Sequence, residues 1–96
     1  MPAYVVVQGR IDDRVRYDEY RAVAGPTVEA HGGRLLGIGD PAELIEGEQA
    51  DLPRLVLIEF PSLEAAKSWY ASAEYQAVRQ LRQVSSESRF LLVEGD

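Results

Sequence analysis

Apolar positions along the chain follow two rhythms, one of short continuous runs and one of spacings of three and four. AYVVVQGRI (residues 3–11), RLLGIG (34–39), RLVLIEF (54–60) and RFLLVEG (89–95) are runs of aliphatic, β-branched and aromatic side chains, and each predicts a strand. After the first run, Tyr17, Tyr20, Ala24, Val28 and His31 recur at helical spacing and predict a helix from about Asp13. Pro26 has no N–H for the carbonyl of Ala22 and Gly25 weakens the same turn, so a kink or a break into two short helices is expected there. Gly32 and Gly33 supply the left-handed residue that ends a helix.

After the third run, Ser62 reads as an N-cap with Glu64 in the first helical turn, where the helix dipole favours a negative charge. Leu63, Ala66 and Tyr70 form the buried stripe of this helix, with Trp69 beside them. Ser72 and Glu74 repeat the N-cap signal, so two pieces are expected, one ending near Ala71 and the next running through Tyr75, Val78 and Leu81. DPAELIEGEQADLP (40–53) carries five acids and no base. Leu44 and Ile45 at its centre predict that the second strand resumes after a bulge near Gly39 to Pro41, before a turn at about Gln49 to Pro53.

Two βαβ halves joined by a hairpin between the second and third strands make a ferredoxin-like βαββαβ sandwich. This is an α+β fold with a four-stranded antiparallel sheet and its helices on one face, as a single domain over residues 1–96. The strands sharpen the picture. YVVV, LVLI and FLLV are apolar at successive positions, so both faces of the sheet want cover. The helices cover one face, and a second copy of the same sheet is the least costly cover for the other, which predicts a homodimer closed sheet to sheet into an α+β barrel. With about two apolar side chains per strand on the open face, the patch would exceed the few hundred Å² that monomers usually expose.

Composition narrows the function classes. A net charge of −6, with no cluster among the ten Lys and Arg residues, argues against nucleic acid. No cysteine is present, which removes disulfides and thiolate chemistry and is compatible with a reducing compartment. The N-terminal residues lack the basic and apolar regions of a signal peptide, and no apolar run approaches the ~20 residues of a membrane span, so no membrane partner and a cytoplasmic location are expected. With one histidine, a transition-metal site is not expected, and neither is a cofactor.

His31 is the natural candidate for a catalytic acid or base, since histidine titrates near neutrality. The other reading makes it a helix-terminal residue, interacting with the negative end of the dipole and capping the last carbonyls. Tyr20 and His31 stand about 16 Å apart along an unbroken helix, so they cannot share one reacting atom. Tyr20, Trp69 and Tyr75 are candidates for the wall of a substrate pocket, with core packing as the alternative. Arg34 is a candidate for binding a carboxylate, or for pairing with a surface acid in ELIEGE. Glu59 interrupts an apolar strand and is expected in water at the strand end. The acids of residues 40–51 do not have calcium-loop spacing, and Gly37 and Gly39 fall short of a phosphate-binding loop.

EYRAVAGPTVEAHGGRLL, LVLIEFPSLEAAKSWYASAEYQAVRQLR and RFLLVEG together resemble the small bacterial family catalogued as domain of unknown function 1330, with AHGGR and IEFPS carrying most of the likeness. The resemblance runs over nearly the whole chain. It implies a ferredoxin-like fold that dimerises sheet to sheet, as in the dimeric α+β barrel superfamily. That superfamily includes cofactor-free monooxygenases, lactone isomerases and haem enzymes, whereas the family has no settled activity. Ile38 and Ala73 depart from the family pattern, which often has an arginine or other polar residue at the first position and proline at the second. The expectation is therefore a small homodimeric protein that binds or transforms a small-molecule ligand without a cofactor. The alternative is a non-catalytic structural or binding module of a larger assembly, with residues 40–51 as its contact surface.

Overall fold

The computed structural model describes residues 1–48 and 51–95. The elements are β1 (Ala3–Ile11), α1 (Arg14–Ala30), β2 (Arg34–Gly39), β3 (Arg54–Phe60), α2 (Leu63–Ala71), α3 (Ala73–Ser85) and β4 (Ser86–Glu94). The strands form one antiparallel sheet in the order β2-β3-β1-β4, the ferredoxin-like arrangement, with the three helices on one face.

Register and pleat decide which side chains reach the core. Val5 stands between Ile58 and Leu92, and Val6, one residue on, between Leu57 and Leu91. Successive side chains point to opposite faces, so Ala3, Val5 and Val7 join Val56, Ile58 and Phe60 beneath the helices. The other face carries Tyr4, Val6, Leu55 and Leu57, and beside them Leu91 and Val93, which remain 47% and 52% exposed. Both faces are apolar, and the helices cover one.

Three elements differ from the sequence expectation. Helix α1 runs unbroken through Pro26. Pro26 and Ala22 lie on its exposed side, where water satisfies the carbonyl that proline leaves free, while the buried positions Tyr17, Tyr20, Ala24 and Thr27 hold the helix to the core on the opposite side. Strand β2 does not resume at Leu44 and Ile45: it ends at Gly39, because two apolar residues among acids have no covered surface to bury against, and both are exposed. Its bulge falls earlier than expected, where the register shifts between Leu35 and Gly37. That extra residue puts Leu35 opposite Ile58 and Ile38 opposite Val56, both facing the helices. Gln49 and Ala50 of the expected turn lie outside the described residues. Strand β4 begins at Ser86, straight out of α3, because the polar SES segment pairs with the end of β1, setting Glu87 opposite Arg10.

The split of the second helical region occurs as expected. Ser72 ends α2 by donating its hydroxyl to Trp69 O (2.7 Å) and opens α3 by accepting from Tyr75 N (3.2 Å). No helix among the described residues is long and apolar enough to cross a membrane.

Candidate functional site

Helix α1 packs on α3 and stands off the β2–β3 half of the sheet, leaving a cleft of about 490 Å³. The side chains of α1 facing it are small. Ala24 and Gly25 lie on its wall, and a Cβ built on Gly25 would meet nothing within 4 Å. Leu35 and Ile38 of β2 and Val56 and Ile58 of β3 form the opposite wall, with Tyr17, Tyr20, Trp69 and Phe90 closing it.

The mouth of the cleft is shaped by the helix terminus. Gly32 adopts φ +78°, its N–H donates to Glu29 O (3.0 Å) and the N–H of Gly33 to Val28 O (2.9 Å), the paired bonds of a Schellman cap. Gly33 is required for a different reason. A Cβ there would come within 2.6 Å of the Phe60 ring and 2.7 Å of Val28. His31 is the C-cap residue, and its Nδ1–H donates to Thr27 O (3.0 Å). It is not among the residues lining the cleft.

Two arginines are buried beside this space. Arg54, at the start of β3, is 6% exposed and shares the inward phase of Val56, Ile58 and Phe60. Its Nη1 reaches Asp40 Oδ2 at 3.4 Å, its guanidinium lies 5.2 Å from the centre of the Tyr17 ring, and its Nε has no hydrogen-bond partner among the described residues. Arg82 of α3 donates from Nε to Tyr75 Oη (3.1 Å) and from Nη1 to Ser88 Oγ (2.5 Å), with its charge over the Phe90 ring. Tyr75 Oη in turn lies 2.9 Å from Tyr20 Oη.

Tyr75 is fully buried, and its hydroxyl is held between Arg82 and Tyr20. Arg82, Tyr75 and Tyr20 are thus joined in one run of hydrogen bonds, with Tyr20 at the end that lines the cleft. Burial, reinforced by Tyr75, pushes the Tyr20 pKa far above the ordinary phenol value; burial also raises Tyr75, against the opposing pull of Tyr20 and Arg82. Both are hydrogen-bonding phenols, not bases, at neutral pH.

A pH dependence follows from these shifts. The unfolded chain releases its phenol protons above pH ~10 while the folded chain keeps these two, so the unfolded state binds fewer protons and stability falls as pH rises. Unfolding free energies from urea denaturation between pH 9 and 11 should decline toward a limiting slope of about 1.4 kcal/mol per pH unit for each such phenol. Tyr20→Phe should flatten the decline.

The sequence candidates divide accordingly. Tyr20, Trp69 and Arg34 line the cleft; Tyr75 lies behind Tyr20, and His31 lies at the helix end. Arg34 pairs with Glu59, Nε to Oε1 2.7 Å, its cross-strand partner, instead of with the ELIEGE acids. Glu59 is correspondingly half-buried and not at a free strand end. Trp69 donates from Nε1 to Thr27 Oγ1 (3.0 Å), and that hydroxyl donates to Ala24 O (2.6 Å). Sequence reasoning missed Arg54, although an arginine in phase with the inward positions of an apolar strand was the available signal. Among the described residues, no group of three His, Cys, Asp or Glu side chains is placed to hold a metal ion.

A family model described as "Domain of unknown function (DUF1330)" matches residues 2–96. No curated protein matches the chain. Among solved structures, a protein of unknown function from Rhodopseudomonas palustris is similar with a TM-score of 0.82 at 20% identity, covering 99% of this chain and 82% of that one. A dimeric ferredoxin-like protein of unknown function from a Jannaschia species gives 0.71 at 15% identity, covering 99% and 100%. SnoaB, a cofactor-independent oxygenase from Streptomyces nogalater, gives 0.68 at 11% identity, covering 99% and 93%. At these identities the likeness is one of fold.

Proposed function

The chain belongs to the DUF1330 family, and we propose that it is a homodimeric small-molecule-binding protein whose ligand enters the cleft between α1 and the β2–β3 half of the sheet. The observation that carries this reading is the cleft itself: about 490 Å³, apolar and aromatic walls, and a few convergent polar groups, the usual make-up of a ligand site. Trp69 and Tyr20 serve as walls, Tyr75 and Arg82 hold Tyr20 in place, and Arg34 stands at the rim. Dimerisation through the open sheet face is supported by the uncovered apolar rows on β1, β3 and β4 and by the dimeric Jannaschia protein of the same fold. The absence of cysteine suits a reducing compartment, and we place the protein in the cytoplasm.

Gly25→Phe tests the cleft from a position outside the buried core, where a new Cβ meets nothing within 4 Å beyond its chain neighbours. The variant should fold with at most a modest loss of stability, since a side chain before Pro26 is disfavoured in a helix, while binding of 1-naphthamide, a neutral aromatic probe, falls at least tenfold. Equal binding to both proteins, or none to the wild type, would overturn the reading and favour a structural module.

A further inference from the structure

We propose that the cleft selects organic anions, aromatic carboxylates above all, and that Arg54 binds the carboxylate from within. This rests on the cleft being a ligand site and adds the class of ligand. Three arginines, Arg21, Arg34 and Arg54, and one carboxylate, Glu29, line the cleft of this acidic chain. Glu59 pairs with Arg34 and Asp40 with Arg54, whereas Arg21 makes no ion pair among the described residues.

Arg54 is the inner half of the arrangement. A guanidinium is always charged and carries five N–H donors, so burying it with donors unused is costly. Its one acceptor, Asp40, sits at 3.4 Å from Nη1, longer than the 2.7–2.9 Å usual for a charge-assisted bond. Nε is buried and unpartnered among the described residues, and no bond to those residues forms at Nη2 beside it. That edge is the one through which arginine takes a carboxylate with two parallel bonds. The remaining surface suits the rest of such a ligand, since Tyr17, Trp69, Phe90 and Ile38 offer a ring-sized apolar enclosure.

The test compares two probes of one shape, 1-naphthoate and 1-naphthamide, by titration at low salt. Wild-type protein should bind the carboxylate at least tenfold more tightly, and the Arg54 Nε–H resonance should move on adding naphthoate but not naphthamide. Arg54→Met should bring the two affinities within about twofold of each other, chiefly by weakening naphthoate. If that variant does not fold, the wild-type affinity ratio and the Nε–H shift decide the matter. Equal binding of both probes, a preference that survives in Arg54→Met, or an unmoved Nε–H resonance at saturation would overturn the anion anchor while leaving the cleft as a site for neutral ligands. Failure of both probes to bind wild-type protein would overturn both.

Discussion

Trp69→Ala should cost about 3–5 kcal/mol of folding stability in urea denaturation, the largest single loss available from one side chain in this core. Domains of this kind have roughly 5–15 kcal/mol in hand, so the variant should lie near its unfolding threshold. Trp69 is 1% exposed, its ring centre is 4.4 Å from that of Tyr75 and 5.4 Å from that of Phe60, and it stacks on Phe90 from β4. Truncation therefore opens a cavity among α2, α3 and the sheet. It also removes the donor that ties α2 to α1 through Thr27, next to the proline where α1 is weakest. Trp69→Phe separates the two contributions, keeping most of the ring and losing the N–H, and should cost distinctly less. A loss under about 1 kcal/mol for the alanine variant would mean that the core is not organised around this residue.

Val6→Arg should convert a dimer into a folded monomer. Val6 sits at the middle of the open face, between Leu57 and Leu91, and a twofold interface there would bury two introduced charges with no partners. The side chain is only half-buried within one protomer, so the fold should survive, with unchanged circular dichroism. Sedimentation velocity at micromolar concentration should give twice the chain mass for the wild type and the chain mass for the variant. A wild-type monomer would remove the dimer from the account.

Much of the architecture could be read in the residues because it is local. The four apolar runs, the Ser62 and Ser72 caps and the glycine pair at 32 and 33 each state their structure within a few positions, and the order of elements then leaves the ferredoxin-like sheet. What escaped is set by contacts distant in sequence. Helix α1 survives Pro26 because its other side is anchored by Tyr17, Tyr20, Ala24 and Thr27, and β4 starts early because β1 is long enough to pair with Ser86. The bulge at β2, which turns Leu35 and Ile38 toward the helices, leaves no mark in RLLGIG.

The site was legible in pieces. Tyr20, Trp69 and Arg34 were identifiable as candidates, but the partner of Arg34 is fixed by strand register, which no spacing within the segment reveals. Arg21, Arg34 and Arg54 form no cluster along the chain and line one cleft only when α1 is laid over β2 and β3. His31, the residue that chemistry alone singles out, ends a helix, with its Nδ1–H held by the Thr27 carbonyl.

The central claim, that the cleft beneath α1 receives the ligand, is tested most directly by following backbone amide resonances of the wild-type protein as 1-naphthamide is added. Saturable shifts confined to the stretch of α1 around Ala24 and Gly25, to Leu35 and Ile38 of β2 and to Val56 and Ile58 of β3 are the predicted result. Shifts on the open sheet face, or no saturable shifts at all, would contradict it.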